Sequence, residues 1–106
     1  MRIAVFGAGA MGALFSGYLS RKNDVCVIDV SETIVNAINS NGVKIREKDG
    51  SDTICHPKAL VDASSEKPVD LAIVFVKSMF TVDALNNNKN LIGKDTYLMN
   101  NVSATP

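Results

Sequence analysis

The 106-residue chain has little cysteine, little histidine and no net charge, and each scarcity removes a class of function. Cys26 and Cys55 are too few for a disulfide framework, and their spacing matches no metal site. Cys26 falls inside a predicted buried strand, where a free thiol packs as a small apolar group. His56 is the sole histidine; it has no matching nucleophile or ligand partner and reads as structural or solvated. Eleven basic residues against eleven acidic ones leave no electrostatic footprint for nucleic acid. No basic amphipathic stretch points to a membrane surface, and no apolar run approaches the roughly 18–20 residues a bilayer span requires. Met1-Arg2 runs directly into a strand pattern, so no secretory leader is expected and the chain reads as cytoplasmic. There is no internal repeat and no biased tract beyond Asn87-Asn88-Lys89-Asn90. The length suits one domain, which at this size buries roughly 60–68% of its unfolded surface without needing staples.

What the sequence does hold is concentrated at its start. The apolar run Ile3-Ala4-Val5-Phe6 leads into Gly7-Ala8-Gly9-Ala10-Met11-Gly12, followed by an amphipathic segment. A strand, G-x-G-x-x-G and a helix form the arrangement that holds a dinucleotide pyrophosphate in a Rossmann-type domain. Each glycine has its own task. Gly7 permits the tight turn out of the strand, Gly9 lets main chain approach the phosphates, and Gly12 lets the helix pack closely on the sheet. The helix then opens with unpaired N–H groups and its positive dipole end toward the anion.

The rest of the pattern extends this unit. Ala10–Arg21 reads as a helix with Met11, Leu14, Phe15, Tyr18 and Leu19 as its core face. After a turn at Asn23-Asp24, Val25–Asp29 reads as a second buried strand. Ser31 is placed to cap a helix over Glu32–Ser40, with Ile34, Val35 and Ile38 inward and Asn41-Gly42 as its stop. Val43–Lys48 and Ser51–His56 read as a hairpin around Asp49-Gly50, with one face toward solvent. Pro57–Pro68 reads as a polar connection with a helical turn near Ala59–Ala63. The apolar stretch within Asp70–Val76 predicts a strand covered on both faces. A helix over Ser78–Asn86 and a short strand over Thr96–Asn100 follow. The order predicts an α/β fold: a doubly wound, mostly parallel sheet with an extra β-hairpin and right-handed crossovers.

Three further residues fall at strand ends, where open α/β sheets bind ligands. Asp29 follows the second strand about twenty residues beyond the glycines, the position from which an acid accepts hydrogen bonds from the adenosine ribose. A carboxylate there favours NAD(H) and repels the 2′-phosphate of NADP(H), and Val30-Ser31 supply no cation to offset it. The alternative for Asp29 is a turn or capping residue. Lys77 ends the third buried strand and is set to meet a carboxylate or a ribose oxygen. Asn100 ends the last strand, where its amide can hold a carbonyl or hydroxyl. A solvated lysine and a turn asparagine are the plainer readings of these two.

Four segments together resemble a known family: residues 1–12, Asn41-Gly42-Val43-Lys44-Ile45, Phe75-Val76-Lys77-Ser78 and Leu98-Met99-Asn100-Asn101-Val102. In order, and over essentially the whole chain, they resemble the N-terminal domain of ketopantoate reductase (2-dehydropantoate 2-reductase). The lysine and asparagine motifs discriminate more than the glycines do. The resemblance implies a single NAD(P)-binding domain over residues 1–106. Gly7, Ala8, Gly9, Ala10, Met11 and Gly12 would form its pyrophosphate loop. Lys77 would lie near the ribose and nicotinamide side, and Asn100 near the nicotinamide and substrate.

The implied reaction moves hydride from NAD(P)H to a 2-oxo acid in the pantothenate pathway, while a lysine protonates the developing alkoxide. That lysine is expected in a helical C-terminal domain, absent from these 106 residues, so no catalytic residue is assigned within the chain and little turnover is expected of it alone. NADP(H) is usual for the family, often gripped by an arginine after the second strand. Asp29-Val30-Ser31 stand there instead, as in NAD-dependent D-2-hydroxyacid (D-mandelate-type) dehydrogenases. Asn101 replaces the glycine usual after the motif asparagine. The competing expectations are such a D-2-hydroxyacid dehydrogenase, a non-catalytic NAD(H)-sensing module, and a fragment that forms a homodimer through an exposed edge strand at 96–100.

Overall fold

The computed structural model describes residues 1–63, 66–75 and 89–100. Its elements are β1 (Arg2–Phe6), α1 (Ala10–Ser20), β2 (Asp24–Ile28), α2 (Glu32–Asn41), β3 (Val43–Arg46), β4 (Asp52–Cys55), β5 (Lys58–Leu60), β6 (Leu71–Val74) and β7 (Tyr97–Asn100). A 3₁₀ turn at Lys89–Leu91 precedes β7. The predicted helix over Ser78–Asn86 lies outside the described residues.

β1, β2 and β6 are the apolar runs of the sequence, and they form the middle of a parallel five-stranded sheet in the order β5-β2-β1-β6-β7. Successive side chains alternate between its faces. Ile3, Val5, Val25, Val27 and Ile73 enter one core with Val35 and Ile38 of α2 and Val43 and Ile45 of the hairpin. Ala4, Phe6, Cys26, Ile28, Ala72 and Val74 enter the other, with Val69 and Leu91. Both faces of these central strands are dry, as buried parallel strands require, whereas Tyr97, Leu98 and Met99 of the edge strand β7 are exposed. From β1 the chain builds outward to β2 and β5, then returns to add β6 and β7 on the other side. The direction of winding therefore reverses between β1 and β6, where such sheets open a crevice at their carboxyl ends.

β3 and β4 pair antiparallel as a separate two-stranded ribbon, with Val43 opposite Cys55 and Arg46 opposite Asp52. Val43 and Ile45 are buried while Lys44 and Arg46 are exposed, so one face of the ribbon meets solvent as its alternation predicts. Arg21, just past α1, hydrogen-bonds Glu47, which also accepts from Thr53 Oγ1 at 2.9 Å. The Arg21 bond holds the Glu47 carboxyl below its ordinary range.

Ile34, expected on the inner side of α2, is 36% exposed, and two larger expectations are corrected. The first is the inner face of α1. Met11, Phe15 and Tyr18 are 53%, 40% and 45% exposed, whereas Ser16 is wholly buried and Gly12 and Gly17 are buried beside it. Only Leu14 and Leu19 of the expected stripe pack on the core, together with Ala13. The stripe follows large apolar side chains, but this helix approaches through small ones. A Cβ on Gly17 would stand 3.0 Å from Val43 Cγ1 and 3.2 Å from Ile45 Cδ1. Phe15 instead rests on Phe75, ring centroids 5.3 Å apart, and Arg21 lies over the Tyr18 ring.

The second correction concerns Pro57–Pro68. No helical turn forms near Ala59–Ala63; Lys58–Leu60 add an edge strand, parallel to β2, with Val27 opposite Ala59. The cause is a contact from α2. The Asn39 amide donates to the Ala59 carbonyl at 2.9 Å, and its oxygen accepts from the Ala59 N–H at 3.0 Å. One side-chain amide thus satisfies the main-chain groups on the free side of a strand that has a single neighbour.

Candidate cofactor site

β1 ends in a turn built around two hydrogen bonds and one left-handed residue. Gly7 has φ 103°, a conformation that side chains rarely adopt, and its N–H donates to the Ile28 carbonyl at 2.8 Å. On the other flank the Phe75 N–H donates to the Phe6 carbonyl at 2.8 Å. The turn is therefore fastened to both neighbouring strands at their carboxyl ends.

Gly9 is the N-cap of α1, exposed and extended, and its carbonyl accepts the first helical hydrogen bond from Ala13 at 2.9 Å. A Cβ added there would meet nothing within 4 Å. No side chain caps the first turn of α1 and no acidic residue lies in it, so the positive end of the helix opens over bare backbone. Gly12 is the opposite case. A Cβ on it would collide with the carbonyl oxygen of Gly7 and come within 2.9 Å of the carbonyl carbon. Helix and turn touch there, backbone to backbone.

Asp29 follows β2 and turns back toward the glycines. Its Oδ2 accepts from the Ala8 N–H at 2.8 Å, and its Oδ1 accepts from the Ser31 N–H at 2.9 Å. The acid after β2 and the glycine turn are thus in direct contact. Nothing in the sequence reading anticipates the bond to Ala8. The bond to Ser31 is an Asx-type turn, which the spacing Asp-x-Ser before a helix could have signalled.

The remaining site residues divide. Met11 is exposed in the first turn of α1. Asn100 ends β7 in register with Val74 of β6, at the same carboxyl end of the sheet as Gly7 and Asp29. Lys77 lies outside the described residues. His56 is exposed beside Gly42, and the Cys26 thiol, in the core, is pushed by burial up to about 11 and stays protonated.

An open depression of about 580 Å³ lies at the opposite end of the sheet, lined by Arg2, Arg21, Lys22, Asp24 and Asp70 among others. There Asp70 Oδ2 accepts from the main-chain N–H of Arg2 at 2.8 Å, and Asp24 stands 3.8 Å from the Arg2 guanidinium. The uncapped helix, the open Gly9 and the reversal of strand order all converge on the other end, which is the better candidate. Among the described residues, no cluster of His, Cys, Asp or Glu could hold a metal ion, and no helix is long and apolar enough to cross a membrane.

Fold and turn together define a Rossmann-like α/β domain. Residues 3–101 match the family described as ketopantoate reductase PanE/ApbA, and the chain belongs to that family. It is 33% identical over 100 residues to the 2-dehydropantoate 2-reductase of Streptococcus pyogenes serotype M1, covering 93% of this chain and 32% of that protein. The Pyrococcus abyssi 2-dehydropantoate 2-reductase is 33% identical over 92 residues, 87% of this chain and 30% of its own. Among solved structures, the PanE/ApbA family ketopantoate reductase from Ralstonia eutropha JMP134 superposes with a TM-score of 0.79 at 29% identity, over 92% of this chain and 33% of that one. A D-mandelate dehydrogenase solved with NADH and anilino(oxo)acetate gives 0.78 at 31% identity, over 94% and 32%. The chain spans about a third of the length of these relatives.

Proposed function

We propose that residues 1–106 are the dinucleotide-binding domain of a 2-dehydropantoate 2-reductase-like oxidoreductase. The observation that carries this reading is the turn at Gly7–Gly12, where an uncapped helix start stands over a Gly9 with no atom within 4 Å of its Cβ position. That open cradle fits a pyrophosphate, which the N–H groups of Gly9, Ala10, Met11 and Gly12 would receive at the positive end of α1. When bound, the nicotinamide supplies the hydride; the chain's own part is to bind and orient. Asp29 would take the adenosine ribose hydroxyls, Lys77 would reach the ribose on the nicotinamide side, and Asn100 would hold the carboxamide or the substrate. A small 2-oxo acid is the substrate class, with catalysis completed by sequence beyond these residues in the longer protein.

NAD(H) is the preferred cofactor in this reading, because the Asp29 carboxylate faces the region where NADP(H) carries its 2′-phosphate. The same residue favours a second reading, an NAD-dependent D-2-hydroxyacid dehydrogenase of the same family, since a D-mandelate dehydrogenase that takes NADH is among the similar structures. Titrating the chain with NADH and NADPH by calorimetry tests both, with tighter NADH binding expected. A clear NADPH preference would remove the Asp29 argument. Binding of neither would remove the dinucleotide assignment and leave self-association through the β7 edge, which sedimentation with and without cofactor would reveal. Assaying the longer protein with 2-dehydropantoate against D-2-hydroxyacids then separates the two enzymes.

A further inference from the structure

Asp29 does more in the free chain than wait for a ribose. Its two oxygens each accept a main-chain hydrogen bond, from Ala8 on one side and Ser31 on the other. Its own N–H donates to the Leu60 carbonyl at 3.1 Å, so the residue is anchored to β5 as well. Ala8 is only 5% exposed, and its N–H faces the carboxylate across 21 residues of sequence. A buried N–H deprived of its acceptor is costly, and a charged acceptor makes the stronger bond. Ser31 in turn caps α2. One carboxylate therefore ties the phosphate-binding turn before α1 to the first residues of α2.

We infer that Asp29 is a positioning residue for the glycine turn, so that cofactor choice and the shape of the pyrophosphate cradle depend on the same side chain. The inference rests on the dinucleotide reading above and adds a consequence to it. A carboxylate offers about four lone-pair sites, of which the backbone uses two, leaving room for ribose hydroxyls. An asparagine cannot do the same. With Ala8 and Ser31 both donating, its NH₂ must face one of them, so one of the two bonds is lost. Neutralising Asp29 removes the repulsion of a 2′-phosphate but also loosens the turn that grips the diphosphate. Asp29→Asn is therefore expected to lose NADH affinity without becoming an NADPH-binding domain.

Two measurements on the chain separate positioning from ribose contact. The first uses an NADH analogue that lacks the 2′- and 3′-hydroxyls of the adenosine ribose. If Asp29 acts only through those hydroxyls, Asp29→Asn and Asp29→Ala bind the analogue as the native chain does. Positioning predicts that both variants bind it about ten-fold more weakly, the scale of one charge-assisted hydrogen bond. The second needs no cofactor: amide hydrogen exchange should quicken about ten-fold or more at both Ala8 and Ser31 in Asp29→Ala, and at one of the two in Asp29→Asn, while the Val5 and Val27 amides in the sheet keep their native protection. Unchanged analogue affinity, or unchanged exchange at Ala8 in Asp29→Ala, overturns the inference. If the native chain binds neither NADH nor the analogue, the proposed function fails, and the Ala8 exchange still decides whether the carboxylate holds the turn.

Discussion

α1 and α2 each follow a strand of the same parallel sheet and begin at the same end of it, yet their first turns are finished in opposite ways. α2 answers its own dipole. Ser31 Oγ accepts from the Ile34 N–H at 3.4 Å, and Glu32 puts a negative charge in the first turn. α1 has neither a side-chain cap nor an acid, and its N-cap is a glycine. Their inner faces differ as well. α2 buries Val35 and Ile38, while α1 turns Gly12, Ser16 and Gly17 inward and leaves Met11, Phe15 and Tyr18 outward. A helix that serves only packing is completed by its own sequence. One that leaves its positive end bare, and brings its backbone against the preceding turn, forgoes that local stability, as the proposed dinucleotide site requires.

The widest gap between the two should appear at Gly12. Gly12→Ala drives a methyl into the Gly7 carbonyl, backbone against backbone, and is expected to cost about 3 kcal/mol or more, the upper range for overpacking. Urea denaturation measures it; a loss below about 1 kcal/mol would mean that α1 can lift off the turn freely and that its close approach is incidental. Ile38→Ala on α2 should follow at about 2–3 kcal/mol, an ordinary cavity cost for a residue 7% exposed. Were Ile38→Ala to exceed Gly12→Ala, packing by small residues would not be the tighter of the two contacts.

Much of this was legible in the sequence where local rules suffice. β1, β2 and β6 are buried on both faces, so they are written as unbroken apolar runs. α2 is bracketed by Ser31 and by Gly42, whose φ of 75° and bond to the Ile38 carbonyl make it a proper stop. The glycine turn was legible where geometry demands glycine: Gly7 has φ 103°, and a Cβ on Gly12 would strike the Gly7 carbonyl. What escaped depends on distant partners. β5 is three residues long and owes its shape to Asn39 and to β2, neither adjacent in sequence. The inner face of α1 is not legible in this way, because periodicity counts large apolar residues and is blind to a seam of small ones. The hold of Asp29 on Ala8 escaped for the first reason too, being a side-chain contact between two loops.

Ser31→Ala brings α2 toward the state of α1 by removing its cap. The expected loss is about 1 kcal/mol, seen as a lower urea midpoint with an unchanged slope. No measurable loss would mean that the Asp29 bond to the Ser31 N–H, rather than the hydroxyl, fixes the start of α2.

The smallest effect on stability belongs to Gly9→Val, and it cuts the comparison most finely. Gly9 has φ −65° and ψ −173°, which a valine adopts without strain, and the space beyond its Cβ position is open. The poorer fitness of valine at an N-cap and the smaller entropy of the unfolded chain oppose each other, so unfolding should shift by no more than about 0.5 kcal/mol. Titration with NADH should nonetheless show binding abolished, since the isopropyl group would occupy the space through which a diphosphate reaches the bare N–H groups of α1. A residue whose side chain is harmless to the fold and fatal to the ligand is one kept small for the ligand's sake. If Gly9→Val binds NADH as the native chain does, the first turn of α1 is uncapped for some other reason, and the contrast with α2 loses its functional meaning.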